Sequence, residues 1–155
     1  MTSATITINR EQLFRNICQL TLYVSENMKD GDGVSMVERY RVSDSDRPLY
    51  STLEEDAFYD LYDRCQILFR FSDASMDITD EAFIMKVAIP SNLPLSMVSS
   101  SLTKALTSLI MAAWFSSKGE AGLQEKYEGQ ASNDLHTVKS RILSRNTQQI
   151  TYRAY

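Results

Sequence analysis

The segment from Leu95 to Phe115 constrains the fold most, because its apolar residues recur every three or four positions. This spacing predicts one long helix with a broad apolar face that other elements must cover. Serines, threonines and one lysine interrupt the segment, so it lacks the unbroken apolar run typical of a membrane span, and we expect a core helix. The apolar positions are Leu95, Val98, Leu102, Ala105, Leu109 and Ala113, with Leu106, Ile110 and Trp114 beside them.

Two further helices are predicted on either side of this one. A first helix covers about residues 10–28, where Asn9 offers an N-cap and Gln12 stands three positions later. A last helix covers about residues 121–144, and Gly119 closes the helix before it. The break between the last two helices is short, so we expect them to pack as antiparallel neighbours.

A second helix is predicted to begin near Ser51, where Thr52 and Glu55 form a capping pair. Glu54, Glu55 and Asp56 then fall in its first turn, at the positive end of the helix dipole. That position accounts for the three acids without any catalytic role.

Two stretches alternate in the manner of strands, at residues 4–8 and 83–89. The 155 residues, 43% hydrophobic and 23% charged, suit one ordinary globular domain. The predicted fold class is mainly α: a small bundle of about four helices with an inserted β-strand or hairpin and an extended C-terminal arm. Residues 1–145 form the domain, with a long polar loop at 25–48 and the insertion at 72–90, and residues 146–155 form the arm.

Side chains able to do chemistry are scarce. His136 is the one histidine, and with Cys18 and Cys65 far apart in the sequence no usual zinc spacing can be composed. We interpret both cysteines as buried thiols of a reducing compartment, with a disulfide left open. A calcium loop at Asp30 and Asp32 fails at its later ligand positions, and no glycine-rich phosphate loop occurs. We therefore expect no enzyme, no metal and no cofactor.

The C-terminus is basic in an otherwise acidic chain of net charge −4. No acidic residue follows Asp134, whereas four basic residues do. One interpretation is a solvated tail that complements the helix dipole. The other is a docking arm for an acidic partner or nucleic acid, extended like a strand because it is rich in β-branched and aromatic residues. The candidate arm residues are Arg145, Gln149, Ile150, Tyr152, Arg153 and Tyr155.

Two other sets of residues are candidates for protein contacts. We expect Tyr59 and Tyr62 to lie on different sides of the second helix, so that both cannot enter one core seam. Exposed tyrosines are enriched at interfaces, although single exposed tyrosines are also ordinary surface residues. The polar loop adds four candidate interface residues, namely Val34, Met36, Tyr40 and Arg41.

The order of these segments carries a resemblance over nearly the whole chain. It comprises Ile6 to Phe14, Leu53 to Asp56, Ile89 to Leu93, Met111 to Phe115, a helix with Tyr127, Ala131 and Leu135, and the basic Arg141, Arg145 and Arg153. This order resembles the small helical head-to-tail connector (adaptor) proteins of tailed bacteriophages and prophages. The 25–48 loop is less typical of that family.

The resemblance implies a non-enzymatic virion subunit that forms a ring between the portal and the tail. Its partners would be copies of itself, the portal and tail proteins, with no membrane, and any nucleic-acid contact would not be sequence-specific. Assembly would occur in the host cytoplasm, in keeping with the lack of a signal-peptide pattern. The alternative hypothesis is a small cytoplasmic protein-binding or regulatory module, such as an inhibitor of a host protein.

Overall fold

The computed structural model describes residues 1–31, 33, 36–69 and 75–153, with side chains through Arg145. The chain is mainly helical with one small antiparallel sheet, as predicted. Its elements in order are β1 (Thr2–Asn9), α1 (Arg10–Glu26), α2 (Val37–Tyr40), a 3₁₀ turn (Asp44–Asp46), α3 (Arg47–Arg64), a second 3₁₀ turn (Gln66–Leu68), β2 (Met76–Ile78), β3 (Ala82–Ile89), α4 (Leu95–Ser117) and α5 (Ala121–Arg153).

The two predicted strands pair with each other in the sheet, whose order is β1-β3-β2. The antiparallel register sets Thr2 opposite Ile89 and Asn9 opposite Ala82, so the start of α1 lies beside the turn that enters β3. Alternate side chains of β1 and β3 are buried, which confirms the alternation seen in the sequence. The inserted element at 72–90 is thus a hairpin of β2 and β3 within its described part.

Helix α4 is the central element of the core, as its sequence period predicted. It packs mainly against α5, and also against α3, α1 and β1. Leu102, Leu106, Ile110 and Trp114 are among its fully buried residues. By length and composition α4 could also cross a membrane, but half of its most apolar window is buried inside this fold, as in many core helices. Gly119, with φ of 77°, closes the helix before α5 turns back.

Helix α3 begins at Arg47, four residues before the predicted start at Ser51. Pro48 suits the first turn of a helix, where a missing N–H costs nothing. At the 3₁₀ turn that precedes α3, Ser43 and Asp46 form a capping box. The predicted capping pair of Thr52 and Glu55 is therefore wrong, and the acids at 54–56 lie about two turns inside the helix.

The described part of the 25–48 segment covers the core instead of forming one long polar loop. The indole Nε1 of Trp114 donates a 2.6 Å hydrogen bond to the carbonyl of Tyr40. The backbone N–H of Val42 donates to the Thr21 hydroxyl at 2.9 Å. These buried hydrogen bonds join the segment to α4 and α1, so a segment whose sequence is polar still packs against the core.

Helix α5 continues to Arg153, whereas the sequence suggested an end near Ser144 and an extended strand beyond it. No glycine or proline follows Gly129, and a helix that has already formed propagates at little cost per residue. At 33 residues, α5 is about 50 Å long.

Candidate functional site

An open cleft of about 550 Å³ lies where β1 passes into α1. Its other walls come from α3 and from the turn between β2 and β3. Five acidic side chains line the cleft, namely Glu11, Glu54, Glu55, Asp80 and Glu81. Two basic side chains, Arg10 and Arg47, also line it, so the lining carries a formal charge of −3.

Arg10 joins α1 to α3 at the base of the cleft. Its Nε donates to Glu54 Oε1 at 2.7 Å, and its Nη2 lies 2.5 Å from the same oxygen. Nη2 also reaches Glu55 Oε1 at 3.1 Å and the Ser51 hydroxyl at 3.3 Å. Burial lowers the pKa of Arg10, but the hydrogen bonds and charges of Glu54 and Glu55 outweigh that effect and raise it.

The same residue also holds the turn between β2 and β3. Its Nη1 donates to the carbonyl of Thr79 at 2.8 Å, and its backbone N–H donates to the carbonyl of Glu81 at 2.9 Å. The guanidinium lies 4.8 Å from the centre of the Phe83 ring. Arg10 therefore positions three elements around the cleft.

Glu54 and Tyr50 are four positions apart on α3, and both line the cleft. Each residue is only 3% exposed, and the Tyr50 hydroxyl interacts with the Glu54 carboxylate. Burial raises the pKa of Glu54 even though Arg10 acts in the opposite direction. Burial also raises the pKa of Tyr50, and the nearby Glu54 charge adds to the shift. The hydrogen bond between them offsets part of the cost of burying both polar groups.

Arg47 and Glu11 form the outer rim of the cleft. The guanidinium binds both carboxylate oxygens at 3.0 Å and lies 4.0 Å from the centre of the Phe14 ring. This hydrogen bond from Arg47 lowers the pKa of Glu11. Because Glu11 neutralises the charge of Arg47, the remaining charged side chains of the cleft are mostly acidic.

This arrangement suits recognition of a cationic group. A guanidinium or ammonium ion could pair with the exposed carboxylates of Asp80 and Glu81 in its lining. Within the part of the chain that the structure describes, no three His, Cys, Asp or Glu side chains are grouped to hold a metal ion.

The residues predicted for an interface loop do not share one surface. Tyr40 is 1% exposed, and its hydroxyl donates to Glu120 while its ring lies 6.2 Å from that of Phe115, so its side chain is not available to a partner. Met36 is half-buried and Arg41 is exposed. Val34 lies outside the described residues.

Tyr59 and Tyr62 are three positions apart, so they project from one side of α3 and not from different sides. Tyr59 is 52% exposed, while the Tyr62 ring packs 4.4 Å from that of Phe69. In the arm, Arg145 donates to the carbonyl of Asn92. The other arm residues lie where side chains are not described (Gln149, Ile150, Tyr152 and Arg153) or outside the described residues altogether (Tyr155).

Sequence reasoning missed the cleft, because it assigned the acids at 54–56 to a helix start. Pro48 is the residue from which the true start of α3 could have been predicted, since proline favours the first turn of a helix. A helix beginning there places Glu54 well inside α3, where a carboxylate needs a partner such as Arg10.

Comparisons with protein family models, curated proteins and solved structures found no match to this chain.

Proposed function

We propose that the chain is a non-enzymatic virion subunit of a tailed phage, a head-to-tail connector that forms a ring between portal and tail. The observation that carries the proposal is the separation of opposite charges to opposite ends of strand β3. The acidic cleft adjoins the Ala82 end of the strand, next to Asp80 and Glu81. At the Ile89 end, three residues on, Asn92 accepts a hydrogen bond from Arg145 of the basic segment.

This polarity suits contacts between unlike surfaces of neighbouring copies. An eight-residue strand spans about 23 Å, so the two charged regions are well separated on one subunit. A subunit with complementary patches on different faces joins its neighbours through heterologous contacts, and such contacts close into a ring when the rotation allows.

The C-terminal end of α5 supplies a means of reaching a neighbour. The hydrogen bond from Arg145 to Asn92 marks a point of contact with the body, and eight more helical residues follow through Arg153. They add about 12 Å of helix. A helical arm gains interface area without a larger core, which is useful to a subunit of 155 residues.

The connector assignment itself is supported by the order of sequence segments that resembles connector proteins. Light scattering combined with size-exclusion chromatography tests it, with the purified chain alone and with a phage portal protein. We expect a closed oligomer of defined copy number and a stable complex with the portal. A chain that stays monomeric and ignores the portal would refute the assignment.

A second candidate, a small module that binds a host protein, is favoured by the exposed tyrosines. Tyr23 and Tyr59 are 68% and 52% exposed, and tyrosine is enriched among residues that carry binding energy. Affinity capture from host lysate and from phage-infected lysate separates the two candidates. A connector retains phage structural proteins, whereas an inhibitor retains one host protein in both lysates.

A further inference from the structure

Strand β1 lies at one edge of the sheet, and its outer side has no strand partner among the described residues. Its eight residues include no charge and no proline, although such residues commonly protect an exposed edge from pairing with another chain. We infer that this edge pairs, in antiparallel orientation, with the β1 edge of a second copy of the chain. The contact goes beyond the proposed ring and does not rest on it, because a two-fold pair uses the same edge on both copies.

The backbone groups of alternate β1 residues point away from β3. Thr5 is opposite Lys86 in the register, and the backbone N–H of Lys86 donates to the carbonyl of Ser75 at 2.9 Å, on the far side of β3. Thr5 and Lys86 are therefore not a hydrogen-bonded pair, and the N–H and carbonyl of Thr5 point outward. The backbone N–H of Arg10, by contrast, donates to the carbonyl of Glu81 at 2.9 Å, so the even-numbered positions are the ones that bond β3.

The outward positions of β1 are complementary to themselves. In an antiparallel contact centred on Thr5, this residue lies opposite its own copy, and Ser3 lies opposite Thr7 of the second copy. Each pair of this kind exchanges two backbone hydrogen bonds, so the three pairs form about six. All three side chains are exposed and uncharged, so the two-fold axis brings no like charges together, and hydroxyls that lie opposite each other can bond as well.

The other edge of the sheet limits this association to two copies. Strand β2 spans only Met76–Ile78, and its middle residue, Asp77, is exposed and charged. A short and charged edge strand is a poor template for a further strand. The joined sheet therefore has six strands and ends at β2 on both sides, with the buried faces of both copies on the same side of the sheet.

Amide hydrogen exchange, followed by NMR, tests the contact on the unaltered chain. Sedimentation velocity first defines the concentrations at which monomer and dimer are present. The amides of Ser3, Thr5 and Thr7 should exchange at least about 10-fold more slowly in the dimer, whereas the even-numbered amides between them should be protected at every concentration. A chain that stays monomeric, or edge amides whose exchange does not depend on concentration, would overturn the inference. Protection that requires added portal protein would assign the edge to a strand of that protein instead.

A proline at the centre of the contact provides the first variant. Thr5→Pro removes an N–H that β3 does not use, and edge strands tolerate proline at such positions, so the fold should be retained, which circular dichroism checks. Two hydrogen bonds are lost at the two-fold axis, and dimer formation should weaken about 10-fold or more. The matched control is Thr5→Val, which keeps the N–H and should dimerise like the wild type. A folded Thr5→Pro chain that dimerises equally well would contradict the contact.

A pair of charged variants tests the register. Thr5→Lys and Thr5→Glu each bring like charges together at the two-fold axis, so each variant alone should dimerise less well than the wild type. Their equimolar mixture should form heterodimers about 5-fold more tightly than either variant pairs with itself. No preference for the mixture would show that Thr5 does not face its own copy. Rings whose edge amides exchange freely would overturn this contact and leave the ring assignment intact.

Discussion

Replacing Arg10 with alanine should destabilise the chain by about 3–5 kcal/mol, the range measured when one partner of a buried ion pair is removed. The change leaves the Glu54 carboxylate buried without its cation. Glu55, whose side chain is 41% exposed, stays solvated and contributes little to the cost. The carbonyl of Thr79 loses its donor as well.

A stability loss of this size is directly measurable. For a domain of about 150 residues it corresponds to roughly 10 °C in Tm. Trp114 is the only tryptophan and is fully buried, so its fluorescence reports unfolding in a urea titration. The matched control is Arg15→Ala, because Arg15 is 75% exposed and pairs with Glu11 at 3.5 Å on the helix surface. That variant should lose no more than about 0.5 kcal/mol.

A second substitution separates the buried charge from the lost packing. Adding Glu54→Gln to Arg10→Ala removes the uncompensated carboxylate, so the double variant should recover more than about 1 kcal/mol of the loss. If Arg10→Ala costs less than about 1 kcal/mol, the ion pair does not hold the cleft together. If the double variant is no more stable than the single one, burial of the Glu54 charge is not the cause of the stability loss in Arg10→Ala.

Three further predictions follow from the buried titratable groups. Since burial raises the pKa of Glu54 in the folded state, this carboxyl binds more protons in the folded chain than in the unfolded one, and its contribution to stability should fall as pH rises from 4.5 through the folded pKa. Urea titrations should show that part of the pH slope disappear in Glu54→Gln, and an unchanged slope would contradict it. Tyr50→Phe removes the hydroxyl that interacts with the buried Glu54 carboxylate, so it should lower the unfolding free energy by about 2 kcal/mol in the same assay, and a gain would show that the hydroxyl is not bonded. Burial raises the pKa of the Cys65 thiol to about 12, so a thiol reagent should label half-buried Cys18 first and Cys65 only upon unfolding; labelling at equal rates would count against this.

The parts of the fold that the sequence predicted are those set by a local period. The three-and-four spacing of α4 and the alternation at residues 83–89 report burial on one face, and the structure confirms both. The N-cap at Asn9 is local too, and its side chain accepts from the backbone N–H of Gln12 at 2.8 Å. Such features need no knowledge of distant residues.

The cleft could not be predicted in the same way, because its contacts join residues far apart in the chain. Arg10 and Glu54 are 44 positions apart, and the hydrogen bond from Arg10 to Thr79 spans 69. The helix start was also ambiguous, since Thr52 and Glu55 match a capping pattern in sequence, whereas the capping box in the structure is formed by Ser43 and Asp46 at the 3₁₀ turn that leads into α3. Local rules weigh such alternatives equally, and tertiary packing decides between them.

The buried groups of the cleft hold the start of α1 against α3. Arg10 donates to Glu54 Oε1, and the Tyr50 hydroxyl interacts with the same carboxylate, so a residue that is only 3% exposed keeps partners on two helices. A buried carboxylate of this kind is tolerated only while its partners are in place, because removal of one leaves the desolvation of the charge uncompensated. The shape of the cleft and the stability of the fold therefore depend on the same few side chains.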